Sequence, residues 1–322
     1  MHGRFAQAAL LAVVSVAGGA IAADGYPQRS IRLIIPYPPG GAGDIVGRLL
    51  SVRLGESLGQ QVVVDNRGGG AQLIATEIAA KAPADGYTLF LASATHGINP
   101  GLQKKLPYDS IRDFSAITLV ASSPLVFVAH PALGVGNIQE LVATAKAQPG
   151  RINYGSSGPG TGGHLAVELL RWMAGIKLTH VPYKGAAPAL VDLIGGQVQI
   201  VCTSPLPAMP HVKSGKLRAL AMTGRTRSRA TPEIPTVAEA GYKGYEASLW
   251  YALLAPARTP PSIISQLHMQ TVNVIKSAHV TEQLLAQGAE PVGSSPRELD
   301  AFLRTEIDRW TKLIERAHIR AD

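Results

Sequence analysis

Apolar positions along the chain fall into two kinds of run. Short apolar runs that end at Pro, Gly or Asp are typical of buried strands, whereas apolar residues spaced three or four apart are typical of amphipathic helices. The strand-like runs are residues 31–36, 61–65, 87–92, 125–129, 152–154, 178–181, 198–202, 217–222 and 248–254. The helix-like runs are residues 44–58, 71–81, 138–147, 163–174, 188–195, 263–278 and 296–317. Their alternation predicts an α/β fold with largely parallel sheets flanked by helices.

Two of the strand-to-helix junctions are rich in glycine. The first spans residues 36–44 and ends at Asp44, which we interpret as the N-cap of the next helix. The second, residues 155–164, reads GSSGPGTGGH and repeats the same plan. Glycines allow a ligand to approach the backbone closely, and free N–H groups at a helix start favour an anion. An ordinary turn explains the first junction equally well, but two such turns in two halves are typical of a binding cleft.

The first residues of the chain predict a signal peptide over residues 1–23. Arg4 precedes an apolar run over residues 8–16, and Ala20, Ile21 and Ala22 supply small residues at the cleavage spacing. The apolar run is too short to span a membrane. We therefore expect an exported protein of the periplasm, without an intrachain disulfide because Cys202 is the only cysteine.

Charge and length narrow the classes of protein further. The formal net charge of +8 suits an anionic ligand or an acidic partner. The basic residues are scattered and aromatic residues make up only 5% of the chain, so nucleic acid is not a predicted partner. A chain of 322 residues is longer than usually folds around a single hydrophobic core, which suggests two domains.

The motifs of enzymes and cofactor sites are missing or incomplete. Gly158, Gly160 and Gly163 have the dinucleotide spacing, but no acid follows about 20 residues later to bind a ribose, so we expect no nucleotide cofactor. No metal-ligand spacing and no nucleophile motif is present, and we expect neither a metal site nor an enzyme. An exported hydrolase remains the alternative, with Ser156 or Ser157 as nucleophile and His164 or His180 as base.

Several segments resemble one known family, in order along the chain. They read PQRSIRLIIPYPPGGAGD, QQVVVDNRGGGAQLIATEIAAKAPADGYTLFLAS, INPGLQKKLPYD and MAGIKLTHVPYKGAAPALVDLIGGQV. Between Tyr26 and Ile319 the chain resembles the Bug-type (TctC-like) extracytoplasmic receptors of tripartite tricarboxylate transporters. The resemblance implies a hinged, two-lobed periplasmic-binding-protein (type II) fold. Its lobe 1 would comprise residues 24–124 and 245–322 and its lobe 2 residues 125–244, with crossings near residues 120–128 and 245–254.

The resemblance also implies a function. The lobes would close over a small carboxylate, either a di- or tricarboxylic acid or an aromatic acid, and the protein, a monomer, would deliver it to membrane transporter subunits. A sensor that serves a signalling partner is an alternative. The expected ligand-binding residues are Tyr37, Pro39, Gly40, Gly41, Ala42, Gly43, Asp44, Ser93, Thr95, Ser156, Ser157, Gly160, Thr161, His164, Tyr183, Lys184 and Thr203.

Some of these residues have simpler interpretations, and two positions depart from the family. Ser93 and Thr95 can cap a turn, His164 and Tyr183 can pack, and Lys184 can be solvated. Residues 42–43 lack the hydroxyl side chains of many relatives. Many relatives also have Phe-Asp-Asn where this chain has Cys-Thr-Ser at residues 202–204. Because Thr203 cannot pair with an ammonium group, our hypothesis is a carboxylate ligand without one.

Overall fold

The computed structural model describes residues 25–319 except 38, 41, 70, 71, 104, 184 and 318. The predicted signal peptide therefore lies outside the described residues. Among the helices that the structure does describe, none is long and apolar enough to cross a membrane.

A first sheet is built from both ends of the chain. Its strands are β1 (Ile31–Ile35), β2 (Val62–Asn66), β3 (Thr88–Ser93), β4 (Phe114–Pro124), β10 (Ser248–Pro256) and β11 (Glu290–Pro291). They lie in the order β11-β4-β10-β3-β1-β2. The flanking helices are α1 (Ala42–Leu58), α2 (Leu73–Ala80), α3 (Ala94–Leu102), α8 (Pro261–Lys276), α9 (Ala278–Ala286) and α10 (Pro296–Ala317).

A second sheet is built from the middle of the chain. Its strands are β5 (Val126–Ala129), β6 (Asn153–Ser156), β7 (Thr179–Pro182), β8 (Ile200–Thr203) and β9 (Arg218–Met222), in the order β7-β6-β8-β5-β9. Its helices are α4 (Ile138–Ala147), α5 (Gly162–Ala174), α6 (Ala186–Ile194) and α7 (Pro205–Lys213). The chain passes between the sheets directly from β4 to β5 and returns before β10. The predicted division into two moving lobes stays a prediction, although each sheet draws its strands from one of the two predicted units.

The predicted α/β fold with two helix-flanked sheets is confirmed. The sheets are mixed, because β1 pairs in parallel with β2 and β3, and β6 in parallel with β7 and β8, whereas β10 runs antiparallel to β3 and β4. In the second sheet β5 runs antiparallel to β8 and β9. The antiparallel strand β5 is the one by which the chain enters the second sheet, and β10 is the one by which it returns to the first. A strand that arrives from the other sheet needs no crossover helix to set its direction.

The centre of the first sheet is buried. Ile31, Leu33, Ile34 and Ile35 of β1 are all fully buried, as expected for a strand covered by helices on both faces. The carboxyl ends of β1 and β3 point to the same edge of the sheet because these strands pair in parallel. The loops that follow them are therefore held together at one place.

Candidate functional site

A small cavity of about 70 Å³ lies between the two sheets. It is enclosed by loops and strand ends of the first sheet and by the bend that precedes α5 in the second. Its lining residues are Tyr37, Ser93, Ala94, Thr95, Ile98, Gly160, Thr161, Gly162, Leu249, Trp250 and Tyr251. The two predicted glycine-bearing turns thus contribute residues to one shared cavity.

The first-sheet wall of the cavity consists of consecutive strand ends. Tyr37 follows β1, Ser93 is the last residue of β3, and Thr95 lies in the first turn of α3. Tyr251 on β10 is paired with Ser93 across the antiparallel ladder. Ligands of open α/β sheets bind at these carboxyl ends, so the wall lies where a ligand is expected.

The opposite wall is the bend between β6 and α5. Gly160 has a φ of +70°, a conformation that other residues rarely adopt. A Cβ atom on Gly162 would lie only 2.7 Å from Leu249 Cδ2 of the first-sheet wall. Glycine at position 162 therefore allows the two walls to approach closely.

Two helix starts face the cavity, one from each wall. α3 begins at Ala94 and α5 at Gly162, both of which line the cavity, and neither helix has a side-chain hydrogen bond at its N-cap. The first backbone N–H groups of a helix have no acceptor within the helix, and the helix dipole makes this end positive. Together the two starts form a site suited to an anion.

The hydroxyl groups around the cavity differ in their availability. Ser93 donates to Gln72 Oε1 at 2.8 Å, and Thr161 donates to the carbonyl oxygen of Gly158 at 2.7 Å. In the part of the chain that the structure describes, the hydroxyls of Thr95 and Tyr251 have no hydrogen-bond partner in the protein. These two hydroxyls are free to donate to a ligand.

The described cavity lining contains no residue that is charged at neutral pH. Burial is the main cause that raises the pKa of both Tyr37 and Tyr251, so both phenols stay neutral. Binding here would use neutral donors and helix dipoles. Such a site has no carboxylate to pair with a ligand's ammonium group.

Contacts in and around the first glycine-rich loop fix the position of Tyr37. The Gly40 N–H donates to Asp44 Oδ2 at 2.9 Å, and Asn66 Nδ2 donates to Asp44 Oδ1 and to the carbonyl oxygen of Tyr37. A Cβ on Gly43 would lie 2.3 Å from the Tyr37 ring. The loop glycines thus hold the tyrosine in position, and Pro39, Gly40 and Gly43 are not among the lining residues.

Asp44 is a structural carboxylate at the start of α1. The helix begins at Ala42, so Asp44 is its third residue and the prediction that Asp44 is the N-cap is wrong. Its carboxylate accepts from Arg48 at 2.9 Å as well as from the loop. Burial raises the pKa of Asp44, but the hydrogen bonds from Arg48, the Gly40 N–H and Asn66 outweigh it and lower the pKa from 3.8 to about 2.

Several other predicted residues use their polar groups inside the second unit. Ser156 is buried and lies 2.7 Å from His180 Nε2, and the Tyr183 hydroxyl donates to Asp192 at 2.7 Å. Burial is the main cause that raises the pKa of Tyr183 to about 12. His164 Nδ1 accepts the Gly160 N–H at 3.0 Å.

The remaining predicted residues lie apart from the lining. Ser157 is half-buried, and Thr203 is buried at the end of β8, next to Cys202. A Cβ on Gly163 would lie 2.2 Å from the Cys202 carbonyl oxygen, so the end of β8 packs directly under the start of α5. Gly41, Lys184 and the side chain of Ala42 lie outside the described residues.

The hydrolase alternative does have a hydrogen-bonded serine and histidine, Ser156 and His180, but the serine is buried. Ser156 is 1% exposed, and its oxygen also accepts the Gly158 N–H at 3.1 Å. Neither Ser156 nor His180 lines the cavity. The described residues also contain no group of His, Cys, Asp or Glu that could hold a metal ion.

Sequence reasoning did not find the residues from β10 or the apolar part of the wall. These are Ile98, Leu249, Trp250 and Tyr251. Gly97 and Pro100 conceal α3 because both disfavour helix interiors. The strand signal for β10 was present, but its place beside β3 is a tertiary fact.

Comparison with known proteins shows to which family the chain belongs. A family model described as "TctC: Tripartite tricarboxylate transporter family receptor" matches residues 46–319. The chain belongs to this receptor family. The resemblance seen in the sequence motifs is therefore confirmed, and the family is one of solute-binding receptors, not of enzymes.

Similar proteins cover nearly the whole chain. Protein BugT of Bordetella pertussis is 40% identical over 95% of this chain and 96% of its own length. The solved structure of Rpa4515 from R. palustris with adipate is 35% identical, covers 92% of this chain and 99% of its own, and has a TM-score of 0.75. MatC from Rhodopseudomonas palustris with bound malate is 28% identical, covers 90% and 100%, and has a TM-score of 0.71. The TctC receptor thus has relatives that share its fold over their full length.

Proposed function

We propose that this TctC receptor binds a small dicarboxylate without an ammonium group in the cavity between the two sheets. The observation that carries the proposal is the convergence of two uncapped helix starts and two free hydroxyls on one uncharged cavity. Oriented N–H and O–H donors can bind carboxylates without a cationic side chain. The neutral lining leaves an ammonium group without a counter-charge.

The carbon skeleton of the ligand would meet the apolar part of the lining. Ile98 and Leu249 line the same cavity as the donor groups. Rpa4515 was solved with adipate and MatC with malate, which are both dicarboxylates. These relatives support the same ligand class for this receptor.

The size of the cavity supports a closing motion. A volume of about 70 Å³ is well below the roughly 300–1,000 Å³ of typical small-molecule sites. A dicarboxylate can therefore enter only if the walls move apart. A ligand that contacts both walls favours the closed state through its higher affinity for it.

The cellular role follows from the family. We infer that residues 1–23 direct the protein to the periplasm, where a monomer presents its closed form to membrane transporter subunits. The family's description as a transporter receptor supports delivery to a transporter over signalling.

Calorimetric titration with adipate, malate and aspartate tests the ligand class. We expect the two dicarboxylates to bind and aspartate to bind at least about tenfold more weakly, because its ammonium group has no partner. Aspartate or glutamate binding more tightly than both dicarboxylates would reject the proposal.

The variant Thr95→Val tests the site. It keeps the shape of the side chain and removes a free donor, so affinity should fall by roughly 1.5–3 kcal/mol, or about ten- to hundredfold. Thr305→Val is the matched control, since its hydroxyl is on an exposed turn of α10 and bonds only to Ala301. Equal affinities for the two variants would show that the ligand binds elsewhere.

A further inference from the structure

The backbone conformation of the bend in the second wall is not restricted by side chains of its own, because two of its residues are glycines in unusual conformations. Gly158 and Gly160 have φ values of +127° and +70°, which glycine adopts freely and other residues rarely do. The same freedom lets glycines leave this conformation. A bend of this kind binds tightly only if other groups hold it in its binding conformation.

Buried side chains hold the bend at two points. The Gly160 N–H donates to His164 Nδ1 at 3.0 Å, and the Gly158 N–H donates to Ser156 Oγ at 3.1 Å. His180 Nε2 lies 2.7 Å from the same Ser156 oxygen. The imidazoles of His164 and His180 stack with a centroid distance of 4.2 Å and an angle of 11°, so the two supports are in direct contact.

We propose that His164 is a positioning residue for the ligand site: its imidazole accepts the Gly160 N–H and thereby holds Thr161 and the start of α5 against the cavity. This inference rests on the proposed function for its effect on binding. The hydrogen bond itself can be tested without any ligand.

The surroundings of His164 select one tautomer. Because Nδ1 accepts from Gly160, the ring proton is on Nε2, which faces Glu168 Oε1 at 3.9 Å. Glu168 is buried and accepts hydrogen bonds from the Tyr154 hydroxyl and the Arg171 guanidinium. The carboxylate is thus fixed where it favours a proton on Nε2 and leaves Nδ1 free to accept.

The neutral state of the ring is equally important. Burial, followed by the neighbouring His180, lowers the pKa of His164 to about 4, although Glu168 opposes the shift. A cationic ring would carry a proton on Nδ1 that points at the Gly160 N–H. The neutral ring alone can accept this hydrogen bond.

The test separates two contributions of the His164 side chain: the hydrogen-bond acceptor at Nδ1 and the volume that the ring fills. H164N keeps an oxygen near the position of Nδ1, whereas H164L fills space without an acceptor. H164Q moves the amide one bond further out, and it replaces H164L as the variant that loses the acceptor if H164L fails to fold. H279L, at an exposed position of α9, is the matched control. Each variant is measured for the amide exchange rate of Gly160 by NMR, for adipate affinity by calorimetry and for the melting temperature of the ligand-free protein.

We expect H164L and H164Q to raise the Gly160 exchange rate and to lower adipate affinity by about tenfold each. H164N should stay within about threefold of the wild type in both measurements, as should H279L. An unchanged exchange rate in H164L, or an H164N variant as impaired as H164L, would overturn the inference.

The two measurements separate the failure of this inference from the failure of the proposed function. Wild-type protein that binds neither adipate nor malate would reject the proposed function, and with it any role of His164 in binding, whatever the exchange rates. Normal adipate binding by H164L together with rapid Gly160 exchange would reject only the positioning role.

Discussion

The close approach of the two cavity walls can be tested at Gly162. A methyl group there would lie 2.7 Å from Leu249 Cδ2, whereas carbon atoms in contact are normally about 3.5–4.0 Å apart. Gly162→Ala should therefore keep the walls roughly 1 Å further apart, or force Leu249 into another rotamer. The backbone itself tolerates the change, because Gly162 is the first residue of α5 and does not have a positive φ.

The expected effect falls on binding and not on folding. Overpacking by one methyl group typically costs about 1–3 kcal/mol. If this penalty arises only when the walls close over a ligand, adipate affinity should fall by roughly five- to hundredfold. The melting temperature of the ligand-free protein should not decrease.

A double-mutant cycle with Leu249→Ala is the assay. Removing the leucine side chain removes the clash, so the double variant should bind adipate nearly as well as Leu249→Ala alone, with a coupling energy of about 1–3 kcal/mol. Gly195→Ala is the matched control, because a Cβ there meets no neighbour closer than 3.5 Å. Calorimetry gives the affinities of all variants, and thermal unfolding gives their stabilities.

Two outcomes would refute this reasoning. Wild-type affinity in Gly162→Ala would mean that the walls do not come this close in the ligand-bound state. A loss of affinity that Leu249→Ala fails to relieve would mean that the methyl group acts through another contact.

Two further predictions concern buried carboxylates. Asp44→Ala should lower the free energy of unfolding by about 1–3 kcal/mol at neutral pH, because the carboxylate binds Arg48 and the loop before α1. Since the native pKa of about 2 lies below the ordinary aspartate value of 3.8, this stabilisation is present above about pH 4 and is lost as the pH falls towards 2. Urea unfolding at several pH values should show the stabilities of the two proteins converging at low pH, and a constant difference would contradict the assignment. Glu306→Ala should destabilise by about 3–5 kcal/mol, because the buried carboxylate pairs with Arg309 at 2.9 Å and accepts from the Trp250 indole at 2.9 Å. The same urea assay on the exposed ion-pair variant Asp300→Ala should show a loss of about 1 kcal/mol or less, and similar losses for both would argue against the buried network.

Regular elements with a clear pattern could be predicted closely from the sequence. The bounds of α4 and α10 agree with the predicted ranges 138–147 and 296–317, because both helices have a continuous apolar face and polar flanks. α3 and α7 were missed because proline and glycine lower their intrinsic helix propensity. β4 was missed as well, since its residues form a strand by pairing along β10, more than 100 positions away.

The candidate site shows the same limit. Tyr37, Ser93 and Thr95 were predicted from their places after strands, and all three line the cavity. Ser156 was predicted from its hydroxyl group and Tyr183 from its place in a segment that resembles the family, but their hydroxyl partners are His180 and Asp192 within the second unit. A sequence shows which donors exist and not which neighbours use them.

The α/β class, the two glycine-rich turns and the family could all be predicted from the residues alone. Hydrophobic periodicity and turn chemistry are local properties that each short segment carries alone. The packing in three dimensions is what brings the starts of α3 and α5 to one cavity and places Tyr251 there on a strand that follows the whole second sheet in the chain. Such convergence depends on long-range strand pairing and burial, which no local pattern encodes.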